Sequence, residues 1–268
     1  MPPEPRMTTQ QKQNEWFEQW SMLQDQERFL FEDWIAPLKL DDLRGKEVLE
    51  CGCGGGQHTA FMEPYARLIT AVDLNTADLA RTRKQADSHT TYVEADIAAM
   101  DLKKRFDIVL SIGVVHHTDD PDHTVANMIR HLKPGGRLVL WVYSKEGNTL
   151  VEYGVEPLRK LFLKRLPRKV LYRLSQLITG LLMLPVYTIY TLPLTFLPFH
   201  DYFRNFRKLS FKRNVLNVFD KLNAPQVQFI SRKRAERWLD PKQFEEIHIS
   251  SYCGVSWRAS GRLKEETQ

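Results

Sequence analysis

The chain has 268 residues, 43% of them hydrophobic and 26% charged, a balance that suits a globular protein with a substantial core. Its three cysteines do not suggest a disulfide framework. The polar opening "MPPEPRMTTQQKQ" lacks the apolar run of a secretion signal, so a reducing, cytoplasmic setting is expected. The net charge of +5 is uneven: between Val155 and Asn214 twelve Lys and Arg residues face only Glu156 and Asp201, and the rest of the chain sums to −5.

In chain order, residues 1–13 read as a loose tail and residues 14–43 as a helical cap. In the cap, "NEWFEQWSMLQDQERFLFEDWIAPL" holds apolar positions at helical spacing up to Pro37. Its aromatics Trp16, Phe17, Trp20, Phe29, Phe31 and Trp34 suit packing. The rhythm then changes. "KEVLECG" (46–52), "RLITAVDLN" (67–75), "TTYVEADI" (90–97), "FDIVLSIGVV" (106–115) and "GRLVLWVYS" (136–144) are short runs rich in Val, Ile and Leu. Helical stretches at 76–87 and 123–132 separate them. Strands alternating with helices predict an α/β fold, a parallel sheet with right-handed crossovers. Residues 145–222 break the alternation. After them, "SRKRAERWL" (231–239) predicts a helix, and "FEEIHISSY" and "VSWRASGRL" predict two strands that close the 223–268 segment.

The stretch "ECGCGGGQHT" (50–59) ends the first strand and opens a helix. Glycines there let the backbone turn sharply and approach a ligand, with free amides at the helix start facing it. The third glycine of a dinucleotide fingerprint would fall at Gln57, and no Gly-Lys-Ser/Thr follows, so neither that fingerprint nor a phosphate cradle is present. What stands is Glu50, Gly52, Gly54 and Gly56, with further acids Asp73 and Asp96 near the ends of the next two strands. One such acid is ordinarily a turn or cap residue. Three in order beside a glycine loop point to a ligand beyond the carboxyl ends of the strands, where a ribose and an adenine amine could be read. Cys51 and Cys53 form a C-x-C without a second pair, a poor zinc signature, and no metal is expected.

With these residues the chain resembles the class I S-adenosylmethionine-dependent methyltransferases of the small-molecule type 11 group. The resemblance spans residues 44–144 in "VLECGCGGGQHT", "AVDLN", "VEADI", "FDIVLSIGVVHHTDDP" and "LKPGGRLVLWVY". It implies a Rossmann-like, doubly wound sheet of seven strands ending in an antiparallel hairpin, with 145–222 as a helical insertion after the fifth strand. S-Adenosyl-L-methionine is the implied cofactor. Gly52, Gly54 and Gly56, with Gln57 after them, would border its methionine part, and Glu50 its amino group. Asp73 would hold the ribose hydroxyls, Leu74 would pack on adenine, and Asp96 with the Ile97 amide would read the adenine edge. Ser111 and the residues after it would line the methionine side. An N-terminal helix in this family often lies over the active site, which leaves a substrate role open for the cap aromatics.

Methyl transfer needs in-line placement and exclusion of water, and a base only where the acceptor sheds a proton. His116 and His117 are the candidates, with His123 an outsider; the alternative is that one packs beside the cofactor and the other caps a turn. No Asn-Pro-Pro-aromatic tetrad follows the fourth strand, which weakens a DNA target.

Within the insertion, "SQLITGLLMLPVYTIYTLPLTFLPFH" (175–200) carries no charged residue and is long enough for a membrane span of about 20 residues. Both its ends return to one sheet, both flanks are basic, and Pro185, Pro193 and Pro198 would disturb a continuous helix, so a single crossing is rejected. Upstream, Leu158, Leu161, Phe162, Leu166, Val170, Leu174 and Leu177 predict an amphipathic helix with a basic face, suited to anionic lipid. A buried lid, a homodimer contact through the insertion and, less favoured, nucleic-acid binding are the other readings. The expectation is therefore methylation of a small hydrophobic or lipid-linked acceptor by a cytoplasmic protein, peripheral on the inner face of a membrane. The alternatives are an RNA methyltransferase using the basic insertion and a non-catalytic scaffold that binds the cofactor.

Overall fold

The computed structural model describes residues 27–76, 80–82, 88–163, 166–224 and 226–265. The 1–13 tail, the cap aromatics Trp16, Phe17 and Trp20, and most of the 76–87 helix lie outside the described residues. Seven strands form one sheet in the order β3-β2-β1-β4-β5-β7-β6. Strands β1 (Glu47–Cys51), β2 (Leu68–Asp73), β3 (Thr90–Glu94), β4 (Phe106–Ile112) and β5 (Leu132–Tyr143) run parallel. Strand β7 (Ser256–Leu263) pairs antiparallel with both β5 and β6 (Phe244–Tyr252), which gives the expected closing hairpin. The order reverses at β1, whose neighbours are β2 and β4, and a crevice opens beyond the carboxyl ends there.

Adjacent side chains on a strand go to opposite faces, and the runs of Val, Ile and Leu are long because both faces are covered. Leu49, Val109, Leu138 and Leu140 pack with Val125 and Met128 of α3 (Pro121–Arg130) and Trp238 of α8 (Arg232–Trp238). Val48, Ile108, Leu110 and Val139 pack the other way, against Phe31 and Ile35 of α1 (Arg28–Ile35) and Met62 of α2 (Gln57–Met62). Helix α1 ends before Pro37, as the sequence predicts. Strand β5 starts earlier than the sequence suggests: Leu132 pairs with Phe106, and the register then shifts to Arg137 opposite Ile108. The Lys-Pro-Gly-Gly segment forms that irregularity, with Gly135 at φ 75°.

The insertion has a core of its own. Helices α4 (Glu156–Leu161), α5 (Arg168–Tyr187), α6 (His200–Phe206) and α7 (Phe211–Asn223) follow β5. Leu171 and Val186 of α5 bury against Val218, Phe219 and Leu222 of α7 and Phe206 of α6. Two expectations are corrected here. The upstream flank is not one amphipathic helix, because Pro167 caps α5 and separates it from α4. Pro185 does not break α5, because it lies in the last turn, where its missing N–H forgoes one bond. The Thr188 hydroxyl donates to the Leu184 carbonyl nearby at 2.6 Å.

Cap, insertion and hairpin are tied at one point. The Tyr252 hydroxyl donates to the Asp33 carboxylate at 3.1 Å and accepts from the Asn205 amide at 2.7 Å, while Arg258 donates to the Asp33 carbonyl at 3.1 Å. Tyr252→Phe removes two of these bonds. It should lower stability by about 1 kcal/mol in urea denaturation and speed amide exchange in α1; unchanged exchange there would mean the latch does not hold the cap.

Candidate functional site

The loop after β1 turns back on itself. The Gly52 and Cys53 amides both donate to the Val72 carbonyl, at 2.7 and 3.0 Å. The next amide, Gly54, donates to the Asp73 carboxylate at 2.9 Å. Gly52 has φ 84°, and a Cβ there would stand 2.4 Å from Val114 Cγ2, so the position demands glycine twice over. Gly56 then caps α2 in the left-handed region.

Beyond this loop lies a cavity of about 370 Å³. Gly52, Asp73, Leu74, Asp96, Ile97 and His117 line it, together with Gly113, Val114 and Gln226. The structure thus brings together these six residues singled out in the sequence and, as a seventh, the outsider His123. Asp73 uses one carboxylate oxygen on Gly54, and its other lies 3.4 Å from the Asn75 amide. Asp96 accepts from the Ala98 amide at 2.8 Å. Leu74 is exposed over the opening.

Glu50, Gly54, Gly56, Gln57, Ser111 and His116 do not line the cavity. Ser111 is fully buried and donates to the Cys51 carbonyl at 2.8 Å, tying β4 to β1. Glu50 is buried as well. Thr59 donates to its Oε2 at 2.5 Å, while Oε1 has no hydrogen-bond partner among the described residues. Burial pushes the Glu50 carboxyl up to about 7, against the Thr59 hydrogen bond, with the charges of Asp73 and Glu63 adding to the rise. His58, 4.0 Å away, is no counter-ion: burial, then Arg213, lowers its pKa to about 3.

The two candidate histidines differ. His116 is fully buried between His117 and Tyr143, each ring centroid at 4.2 Å, and neither of its nitrogens has a hydrogen-bond partner among the described residues. Burial, then His117 and Lys221, holds its pKa well below the ordinary histidine value. His117 lies 2.7 Å, by Nδ1, from the Gln226 carbonyl. A carbonyl only accepts, so the proton sits on Nδ1 and the neutral ring carries its lone pair on Nε2. Burial lowers its pKa too, partly offset by Asp220 and the Gln226 bond.

Gln226 gave no signal in the sequence. Its amide donates to the His117 carbonyl at 2.7 Å and to Asp119 at 2.9 Å, and the Gln228 amide N–H donates to the His116 carbonyl at 2.8 Å. The strand-like strap after the insertion therefore holds the histidine turn from outside. Among the described residues no group of three or more His, Cys, Asp or Glu side chains could hold a metal ion.

A family model described as a methyltransferase domain matches residues 49–140. A ubiquinone biosynthesis O-methyltransferase of Pseudomonas entomophila is 29% identical over 115 residues, 39% of this chain and 50% of the relative. Its Coxiella burnetii (strain Dugway 5J108-111) counterpart is 32% identical over 100 residues, 36% of this chain and 43% of the relative. The chain thus spans half or less of the length of the curated relatives it matches. The magnesium protoporphyrin IX methyltransferase of Synechocystis PCC 6803 aligns over 98% of this chain and 90% of its own at 14% identity, with a TM-score of 0.49.

Glu50 supplies a test of the site's electrostatics. The folded chain holds its proton more tightly than the unfolded chain, so its contribution to stability is full below about 4.5 and lost as pH rises through about 7. Glu50→Gln keeps the shape without the charge. Its stability relative to the parent should rise between about pH 5 and about pH 8, by on the order of 2–3 kcal/mol. A flat difference in Tm across that range would show that the carboxyl ionises unhindered in the folded chain.

Proposed function

We propose that this chain, a member of the class I S-adenosylmethionine-dependent methyltransferase family through its domain at residues 49–140, transfers a methyl group to a small hydrophobic acceptor presented at a membrane surface. The observation that carries the reading is the cavity at the reversal of strand order, with Asp73 and Asp96 on its wall and the Gly52 turn beneath it. The residues fit the cofactor. Asp73 and Asp96 offer acceptors for hydroxyl and amine groups, and Leu74 gives an apolar face. The buried Glu50 oxygen without a partner among the described residues suits an ammonium, which would also favour the ionised carboxyl. When bound, the cofactor supplies an electrophilic methyl on its sulfonium.

The chain's own work is then placement and proton handling. The Gly113–Val114 turn and the strap at Gln226 border the cavity and narrow the access of water to it. His117, neutral and lone-paired at Nε2, is the residue suited to take a proton from an acceptor, and the His116 ring packs against it at 4.2 Å. The names of the curated relatives, O-methyltransferases, support oxygen as the accepting atom.

The membrane part rests on the insertion. Among the described residues α5 is the helix long and apolar enough to cross a membrane, but both its ends lead back to one sheet. Its polar Ser175 and Thr179 face inward, bonded to the backbone carbonyls of Leu171 and Ser175. Leu177, Leu181 and Leu184 face outward, 61%, 67% and 72% exposed. Exposed Leu158, Phe162 and Leu166 extend this surface in sequence, and Arg168, Lys169 and Arg173 stand at the start of α5. An apolar face beside cations suits shallow contact with anionic lipid.

Asp73→Ala should weaken S-adenosylhomocysteine binding at least tenfold in titration calorimetry; an unchanged affinity would remove Asp73 from the site. On vesicles of phosphatidylcholine with phosphatidylglycerol the intact chain should float, and the triple variant Leu177→Ser, Leu181→Ser, Leu184→Ser should not. Recovery of the intact chain in the soluble fraction would overturn the membrane reading.

A further inference from the structure

A second, smaller cavity of about 80 Å³ lies where cap, β5, insertion and hairpin meet. Trp34 of α1, Trp141 and Tyr143 of β5, Tyr202 of α6 and Lys221 of α7 line it. Its partition from the larger cavity is thin. Gly113 lines the larger cavity, and a Cβ on it would stand 3.5 Å from the Trp141 ring. His117, also on the larger cavity, packs at a tilt against His116, which packs at a tilt against Tyr143. One backbone residue and two rings therefore separate the compartments.

The smaller cavity holds three donors of note beside the side-chain oxygens of Asn148, Asn205, Asn217 and Tyr202, the last of which hydrogen-bonds Lys221. The indole N–H groups of Trp34 and Trp141 are buried without a hydrogen-bond partner among the described residues. The Lys221 ammonium lies over ring faces, 5.5 Å from the Tyr143 centroid and 5.1 Å from that of Tyr202. Burial acts to lower its pKa, but Tyr202 and Asp220 outweigh it and the net direction is upward, so the amine keeps its charge. Asp220 does not line this cavity; it lines a neighbouring one and accepts from the Tyr143 hydroxyl at 2.9 Å. Asn148 donates to the Ser144 and Val255 carbonyls, and Asn205 donates to Tyr252 and Cys253. Two indole donors and an ammonium in an aromatic enclosure call for an oxyanion. They repel a cationic amine, which the aromatic rings alone would have welcomed.

We propose that this cavity is the acceptor's head-group site and that Lys221 is its specificity-determining residue, selecting a flat, apolar molecule that carries a carboxylate or phenolate oxygen. The volume amounts to two or three waters at roughly 30 Å³ each, the room of one such group, with Leu30, Phe206 and Leu209 giving it an apolar wall. The inference rests on the methyltransferase reading, since only that reading gives the larger cavity a methyl donor.

Calorimetry on the full chain saturated with S-adenosylhomocysteine tests it, with three probes of one skeleton: 4-butylbenzoate, 4-butylbenzamide and 4-butylbenzylamine. Benzoate should bind at least tenfold more tightly than benzamide, and benzylamine should not bind. Lys221→Met should erase the preference for benzoate and Lys221→Arg should keep it, both with parental affinity for S-adenosylhomocysteine, which also certifies their folding. Equal binding of benzoate and benzamide, or a preference that survives Lys221→Met, overturns the proposal while the methyltransferase reading stands. Failure of the parent chain to bind S-adenosylhomocysteine removes both.

Discussion

The Gly52 turn is the constraint on which the site depends. Its amide and that of Cys53 share the Val72 carbonyl, Gly54 takes the Asp73 carboxylate, and Val114 fills the space that a side chain at 52 would need. One turn thus fixes the ends of β1, β2 and β4 relative to one another. Displacing Val114 would move the short 3₁₀ turn Val115–His117 that follows it. That turn is gripped from the other side by Gln226 and Gln228, so the glycine loop is mechanically linked to the strap that follows the insertion. Asp73 accordingly has two tasks, closing the loop and facing the cavity, and a change there acts on geometry as well as on ligand contact.

The polar accounting around this junction departs from that of an ordinary interior. A buried polar group left unpaired costs about 1–3 kcal/mol, and interiors avoid it. Here Glu50 Oε1, both His116 nitrogens and the Trp34 and Trp141 indoles are buried without hydrogen-bond partners among the described residues. They flank the two cavities, while the sheet beneath is well packed on both faces. The burial that keeps His116 neutral and lifts Glu50 toward neutrality limits the cost, because neither has to hold a buried charge in the absence of ligand. Stability supplied by the sheet supports a region shaped for something other than stability.

The sheet was legible in the sequence because its central strands β1 and β4 are covered on both faces and so read as apolar runs, while the edge strand β3, TTYVE, alternates buried and exposed positions. The closing hairpin was legible from two short strand-like segments close together, FEEIHISSY and SWRASGRL. The start of β5 was not, since Lys-Pro-Gly-Gly reads as a turn and only the pairing of Leu132 with Phe106 reveals the irregularity. Within the site, Asp73 and Asp96 announced themselves as acids at strand ends. Ser111, placed on the methionine side by the family resemblance alone, has its hydroxyl on the Cys51 carbonyl. Gln226 was invisible because its partner His117 lies 109 residues away, across the whole insertion. The difference between His116 and His117 likewise depends on what each ring touches, which spacing does not encode.

The uncharged stretch of the insertion follows from a two-sided demand on α5. A surface helix of a soluble protein turns its leucines inward and its serines outward. Here the helix must bury Leu171 and Val186 against α7, yet its buried face also carries Ser175 and Thr179, each satisfied by its own backbone and needing no water. The leucines left over face outward. A sequence free of charge over such a length therefore does not require a span or a fully buried core. It is accommodated equally by a helix whose outer face is apolar and whose ends return to the same sheet. That arrangement leaves Leu177, Leu181 and Leu184 on the outer face of the insertion while Leu171 and Val186 hold the helix to α7.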